Sequence, residues 1–190
     1  MEVAICIPSF RRAQGLERLL NALAELCFAN QPPALRVVVV DNDADGGPAI
    51  VDAFRPRAPW PIEYHREPRR GIPFARNTAL RHALASEFLA FIDDDEVPEP
   101  EWLDELLAVQ AKTGADVVTG PVLPHFEEPP PEWALRGGFF DSEHHPTGQR
   151  LEVAYTHNVL VRSAVLSRLA GHFDERLAEN GFGEDSHLRS

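Results

Sequence analysis

FLAFIDDD, residues 88–95, decides the fold: five apolar residues run directly into three aspartates, followed by Glu96 and Val97-Pro98. A short apolar run rich in Phe, closed by acids and a proline, is the pattern of a buried strand ending at a polar edge. Strands covered on both faces belong to parallel sheets, and open α/β sheets bind ligands at the carboxyl ends of their strands. Several carboxylates at one strand tip need a cation to neutralise them. Oxygen-only ligands there suit Mg²⁺ or Mn²⁺ shared with substrate phosphates, and the plainer alternative is a solvated acidic turn.

Outward from that strand, the first two thirds of the chain alternate strand and helix patterns. Val3–Ile7 closes at Pro8-Ser9, and Leu16, Leu19, Leu20, Leu23 and Leu26 then repeat at helical spacing. Val37–Val40 is a β-branched run ending at Asp41-Asn42-Asp43, where Gly46-Gly47-Pro48 turns the chain into a short helix. Ile62–His65 reads as a weaker third strand. Gly71 and Pro73 open a helix whose apolar face carries Ala75, Leu80 and Leu84. A helix near Glu99–Lys112 follows the acidic stretch, then a short strand at Val117–Thr119. These alternations predict βαβ units and an α/β fold with a mostly parallel central sheet flanked by helices.

From Pro121 to about Arg150 the texture becomes irregular, with Pro129-Pro130-Pro131, Gly137-Gly138 and His144-His145-Pro146. So long an excursion over an α/β site reads as a substrate wall or as a packed insert. Leu151–Tyr155 and Val159–Val161 read as strands around Thr156-His157-Asn158, and a helix is expected near Ser163–Leu169.

The 190 residues predict one domain with a real core. Thirty acidic against 18 basic residues give a net charge of −12. That balance argues against nucleic acid as a partner and against basic-patch attachment to anionic lipid. Cys6, in a strand pattern, and Cys27, in a helix pattern, form neither a disulfide framework nor a zinc spacing and read as small buried hydrophobes. With no apolar segment of membrane-spanning length and no signal-peptide pattern, the expected location is the cytoplasm.

Polar residues gather at strand ends: Asp41, Asn42 and Asp43 after one strand, Asp93, Asp94 and Asp95 after another. Right-handed crossovers bring both clusters to one edge of the sheet. IPSFRR at the first strand–helix junction has no glycine-rich phosphate loop, and the chain has no P-loop lysine motif. A nucleotide would therefore be held by side chains and a metal. Asp41 or Asn42 can accept from a base edge or ribose hydroxyl, and Arg76 near a helix start can meet base or phosphate. Taken singly, each is more often a turn former or a surface charge.

IPSFRR at 7–12, VVVVDNDADG at 37–46, GIPFARN at 71–77, FLAFIDDDEVPEPEWL at 88–103 and GEDSHL at 183–188 occur in that order. This resembles the family 2 glycosyltransferases with the GT-A fold. FIDDDEVPEPEWL and THNVLVR at 156–162 are similar to bacterial glycosyltransferases of exopolysaccharide (succinoglycan-type) assembly. The resemblance implies a nucleotide-diphospho-sugar donor, UDP-linked, a divalent Mn²⁺ or Mg²⁺, and inversion at the anomeric carbon. It implies residues 1–120 as the nucleotide-sugar half and 121–190 as the acceptor half. Proteins of this kind usually continue further, so a truncated C-terminal side is expected, with peripheral contact to the inner face of the membrane through the missing part.

By the same resemblance, Pro8 and Phe10 shape the nucleotide pocket, Asp41 contacts the uracil with Asn42 beside it, and Arg76 lies near the nucleotide. Asp93 matches the aspartate near the ribose and Asp95 the metal-holding one, with Asp93 a second metal contact; the split of roles with Asp94 is open by one position. Asp185 matches the catalytic base, with Glu184 beside it. A sugar hydroxyl is a weak nucleophile, so a carboxylate must take its proton, while the departing diphosphate gains charge that a metal stabilises. On the acceptor side His157, Asn158 and Trp133 are candidates. His157 reads equally as a turn histidine, Trp102 as core and His187 as a surface residue. The alternatives are a catalytically incompetent nucleotide-sugar-binding domain and a sugar-nucleotidyltransferase, the latter expected to need a glycine-rich loop that Ser9–Ala13 lacks.

Overall fold

A computed structural model describes residues 1–43, 49–126, 128–138, 140, 145–168 and 173–179. Its centre is a six-stranded sheet in the order β3-β2-β1-β4-β6-β5. The strands are β1 (Glu2–Ser9), β2 (Ala34–Asp41), β3 (Ile62–Arg66), β4 (Phe88–Phe91), β5 (Val117–Thr119) and β6 (Val159–Arg162). The first four pair in parallel, and β6 runs antiparallel to both β4 and β5. The mostly parallel sheet expected from the sequence is therefore present.

Among the described residues six α-helices accompany the sheet: α1 (Ala13–Ala24), α2 (Ala49–Phe54), α3 (Ile72–Ala83), α4 (Trp102–Thr113), α5 (Glu132–Arg136) and α6 (Ser163–Arg168). Strand side chains alternate between two apolar layers, as a period of two requires. Val3, Ile5 and Ile7 of β1, with Val37 and Val39 of β2 and Phe88 and Ala90 of β4, face the layer of α1, α2 and α4. Ala4, Cys6, Val38, Val40, Leu89 and Phe91 face the layer of α3 and α6. Runs apolar at every position, such as FLAF, are what such two-sided burial demands.

Two expectations need correction. Leu151–Tyr155 is not a strand: both edges of β6 are already taken by β4 and β5, and Val153 and Tyr155 stand exposed. Helix α1 ends at Ala24, so Cys27 lies beyond it and is exposed, its N–H donating to Pro100 O at 2.8 Å. Leu26 still packs against the core from outside the helix. Cys6 is buried, and burial pushes its thiol up to about 12, which leaves it an inert core group. Gly46-Gly47-Pro48 and His144 lie outside the described residues.

The connection from β3 to α3 is built around Glu67, which is buried. Its carboxylate accepts from Arg69 Nε at 2.9 Å and N–H at 3.0 Å, and from Thr78 Oγ1 at 2.7 Å. These bonds, those from the Arg69 guanidinium foremost, hold the Glu67 carboxyl down at about 2 from an ordinary 4.5. The depressed value means that folding favours the ionised form. The associated stability is complete above pH 4.5 and is lost as pH falls toward 2. A shift of this size is worth up to about 3 kcal/mol. Glu67→Gln should accordingly lower the urea-unfolding free energy at pH 7 by up to about that amount. Its stability should also decline less than the parent's between pH 4.5 and 2; parallel pH profiles would contradict this account.

Candidate functional site

The carboxyl ends of β1, β2 and β4 converge at one edge of the sheet. Register places Ser9 beside Asp41, and Asn42 N–H donates to Ser9 O at 2.8 Å. Beyond β4, Ile92 N–H donates to Cys6 O at 3.3 Å, and the chain turns at Asp93. Glu96 closes that turn: its Oε2 accepts from Asp93 N–H at 3.0 Å, while its N–H donates to Asp93 O at 3.1 Å. The two acidic clusters expected at one edge do meet there.

The three consecutive aspartates have distinct environments. Asp94 is buried and accepts from Ser9 Oγ at 2.9 Å, Phe10 N–H at 3.1 Å and Arg12 Nη1 at 3.0 Å. Its carboxylate thereby ties the end of β4 to the start of the β1–α1 turn. Asp95 points outward, about half exposed, and pairs with the same Arg12 Nη1 at 2.9 Å. Asp93 is one-third exposed, with Arg76 Nη2 3.5 Å from its Oδ1. Burial holds the Asp93 carboxyl above its ordinary value against the pull of Arg76 and His157, and burial likewise raises Glu96. His157 Nδ1 lies 3.8 Å from Glu96 Oε1.

Gly15, in the first turn of α1, makes this corner possible. A Cβ there would stand 2.4 Å from the Asp94 carbonyl oxygen, closer than any real contact. A glycine inside an otherwise amphipathic pattern often marks such a close approach.

A cleft of about 370 Å³ opens at this edge, lined by Pro8, Phe10, Asn42, Ile72, Ala75 and Asp93 among others. Its size is within the range of small-molecule sites. Two guanidinium groups lie over the Phe10 ring, Arg11 at 5.1 Å and Arg70 at 5.3 Å from its centroid. A second hollow of about 450 Å³ lies on the far side of Arg12, bordered by Arg11, Arg18, Gly15 and Asp95.

Asp41 and Asn42 separate in role. Asp41 accepts from Tyr64 OH at 2.7 Å and from Asp43 N–H at 2.9 Å. Burial first, then the bond to Asp41, pushes the Tyr64 phenol above its ordinary value, so it stays a donor. Asn42 is consumed by the fold: Nδ2 donates to Glu67 O at 2.9 Å and Arg69 O at 2.6 Å, and Oδ1 accepts from Gly71 N–H at 2.7 Å. Both amide hydrogens serve the backbone and Oδ1 already accepts from Gly71 N–H, so Asn42 shapes the β3–α3 connection.

Asn158 is similarly committed, in the left-handed region with φ 44°. It accepts from Trp102 Nε1 at 2.7 Å and donates to Pro121 O at 2.7 Å, which fixes the start of the excursion to α4. Trp102 is thus packed, as expected of it. Trp133 on α5 is 67% exposed, and Leu123, Leu135, Val153 and Tyr155 are exposed in the same part of the chain. Glu184, Asp185 and His187 lie outside the described residues.

The sequence reading missed Tyr64, Glu67, Arg12, Gly15 and Asn77. Asn77 is fully buried; its Nδ2 donates to Phe173 O at 2.9 Å and its Oδ1 accepts from Phe173 N–H at 2.7 Å. Of these, only Gly15 carried a signal in its local pattern.

The donor set suits a hard divalent ion. Asp93 and Asp95 offer oxygen atoms, and the cationic Arg12 already sits against Asp95. Among the described residues, the three aspartates do not converge into a cage of ligands. An ion held by one or two carboxylates, with phosphate and water completing its shell, is the usual Mg²⁺ arrangement.

The family model for glycosyl transferase family 2 matches residues 4–170. The succinoglycan biosynthesis protein ExoM of Rhizobium meliloti is 35% identical over 189 residues, covering 98% of this chain and 59% of that protein. Staphylococcus aureus TarS 1–349, solved with UDP-GlcNAc, superposes with a TM-score of 0.72 at 23% identity, over 97% of this chain and 51% of that one. The mannosyltransferase PcManGT of Pyrobaculum calidifontis, solved with GDP-Man and Mn²⁺, gives 0.67 at 25% identity, over 90% and 47%. The chain therefore spans a little over half the length of its curated relative, and its sheet is that of the GT-A glycosyltransferases.

The contrast between neighbouring aspartates is testable by urea unfolding. Asp94→Ala strands Ser9, Phe10 and Arg12, and should cost about 3 kcal/mol. Asp95→Ala should stay within about 0.5 kcal/mol of the parent. Equal losses would contradict the division.

Proposed function

The chain belongs to glycosyl transferase family 2, and from that premise we propose an inverting, metal-dependent transfer of a sugar from a nucleotide diphosphate to an acceptor hydroxyl. The observation that carries this reading is the cleft at the carboxyl edge, where Pro8, Phe10 and Asp93 border one cavity. UDP is the preferred donor nucleotide, supported by the fold likeness to a UDP-GlcNAc complex. The likeness to ExoM supports a place in exopolysaccharide or cell-surface glycan assembly.

In this reading the nucleoside lies against Phe10, with Asp41 accepting from the base and its carboxylate oriented by the Tyr64 hydroxyl at Oδ2. Asp93 takes the ribose, its carboxylate fixed by Arg76 and by the turn that Glu96 closes. Asp95, with Asp93 beside it, would hold Mn²⁺ or Mg²⁺; when bound, the ion would neutralise charge on the departing diphosphate. Asp94 takes no part in binding and holds the corner in shape. Arg12 compensates the Asp95 charge and would be placed to meet a phosphate beside a bound ion. Asp185, with Glu184 beside it, removes the acceptor proton as attack proceeds from the opposite face.

Residues 1–120 form the donor half and 121–190 the acceptor half. Exposed Trp133 offers an aromatic face to a saccharide, and His157, 3.8 Å from Glu96, is the other acceptor-side candidate. Among the described residues no helix is long and apolar enough to cross a membrane. In this reading contact with a membrane-borne acceptor is peripheral.

Isothermal titration of UDP, with and without Mn²⁺, tests the donor site. Binding should require the divalent ion and be lost in Asp95→Ala; equal binding without any ion would remove the metal from the mechanism. With a UDP-sugar and a saccharide acceptor, Asp185→Asn should keep UDP binding and slow transfer by about 10²–10⁴-fold. Pyrophosphate as the product would mark a nucleotidyltransferase, and binding without transfer a donor-binding module.

A further inference from the structure

Away from the carboxyl-edge cleft, β3 forms one edge of the sheet. Glu63 and His65 are two residues apart on it and project to the same face, toward α3. His82, in the last turn of α3, lays its ring on that of His65 with centroids 3.4 Å apart and planes 12° apart. One ring nitrogen of each histidine and one carboxylate oxygen of Glu63 lie within 4.8 Å of one another.

The surroundings fix these groups in place. His65 Nε2 lies 3.2 Å from Glu63 Oε2. The other oxygen, Oε1, accepts from Arg36 Nη1 at 2.7 Å, while Arg36 Nη2 donates to His82 O at 2.6 Å. Arg36 Nε donates to Ser86 Oγ at 3.0 Å. A single guanidinium, mostly buried, thus orients the carboxylate and the helix end that carries the second imidazole. Outer-shell partners of this kind are what hold metal ligands in register.

We propose that Glu63, His65 and His82 form a binding site for a borderline transition-metal ion of the Zn²⁺, Co²⁺ or Ni²⁺ class. Two imidazoles and one carboxylate are the ligand chemistry of such ions, whereas Mg²⁺ and Mn²⁺ prefer oxygen. The ion takes the place of the hydrogen bond between His65 Nε2 and Glu63 Oε2, with the His65 ring proton carried on Nδ1, and the stacked rings tilt apart to aim their nitrogens at it. Arg36 keeps Glu63 Oε1, so the carboxylate ligates through Oε2. With three protein ligands the fourth position belongs to water. The consequence is a staple between the edge strand β3 and the end of α3, separate from the oxygen site at Asp95.

The test is titration of Co²⁺ into the tag-free chain with excess Mg²⁺ present to occupy the oxygen site. Visible absorption and isothermal heats report coordination, and thermal unfolding is followed with Zn²⁺ in place of Co²⁺. One ion per chain should bind, with the visible bands of a four-coordinate nitrogen and oxygen site. His82→Gln, at an exposed helical position, should keep the metal-free fold and weaken binding beyond the roughly 10–100-fold that a lost outer-shell partner costs. His65→Gln should do the same, and Asp95→Ala should bind as the parent does. Saturating Zn²⁺ should raise the parent's unfolding temperature by on the order of 5 °C and leave that of His82→Gln unmoved. Absence of binding, binding that survives both histidine variants, or binding lost in Asp95→Ala would each overturn the proposal.

Discussion

One buried carboxylate organises the edge of the sheet on which everything else depends. Asp94 accepts from the hydroxyl at the end of β1, from the next backbone N–H and from the Arg12 guanidinium. A buried charge persists only when it is paired and hydrogen-bonded, and these three donors meet that condition. Because two of them come from the β1–α1 turn, Asp94 fixes that turn against the end of β4. Gly15 lets the helix approach the Asp94 carbonyl that closely. With Asp94 turned inward, Asp93 and Asp95 on either side are directed toward the cleft and toward solvent.

The opposite wall of the cleft is held by the same kind of device. Asn42 spends its amide on three backbone groups of the β3–α3 connection, and Glu67 gathers Arg69 and Thr78 beneath it. Asn77 then brackets Phe173 with a reciprocal pair of bonds, joining α3 to the 173–179 segment. Gly71 faces Ala178 so closely that a Cβ would lie 2.6 Å away. Buried amides and carboxylates therefore act as latches that set loop geometry, and the more exposed acids remain for a ligand. A satisfied polar network rigidifies a site in this way because leaving any member unpaired is costly.

The framework was legible because burial on both faces imposes a strong pattern. FLAF, VVVV and the leucine repeat of α1 have no reading other than core, and their positions foretold the common edge at Asp41 and Asp93. Leu151–Tyr155 alternates as a strand would, yet strand formation needs a partner edge and β6 has none to offer. The roles within DNDADG and FIDDDE were not legible for a different reason. Whether Asn42 or Asp94 faces a ligand or the backbone is decided by partners 25 to 85 residues away, which local spacing cannot encode. Likewise, nothing in YH and RHA marks His65 and His82 as stacked neighbours; only the parallel crossover brings them together.

The central claim is that the middle aspartate of the strand tip serves the fold while its neighbours serve the donor. A crystal structure of this chain with UDP and Mn²⁺ tests it most directly. The account predicts Mn²⁺ bound through the Asp95 carboxylate and the diphosphate, with Asp93 toward the ribose and Asp94 still accepting from Ser9 and Phe10. An ion coordinated by Asp94, with those two bonds broken, would contradict it.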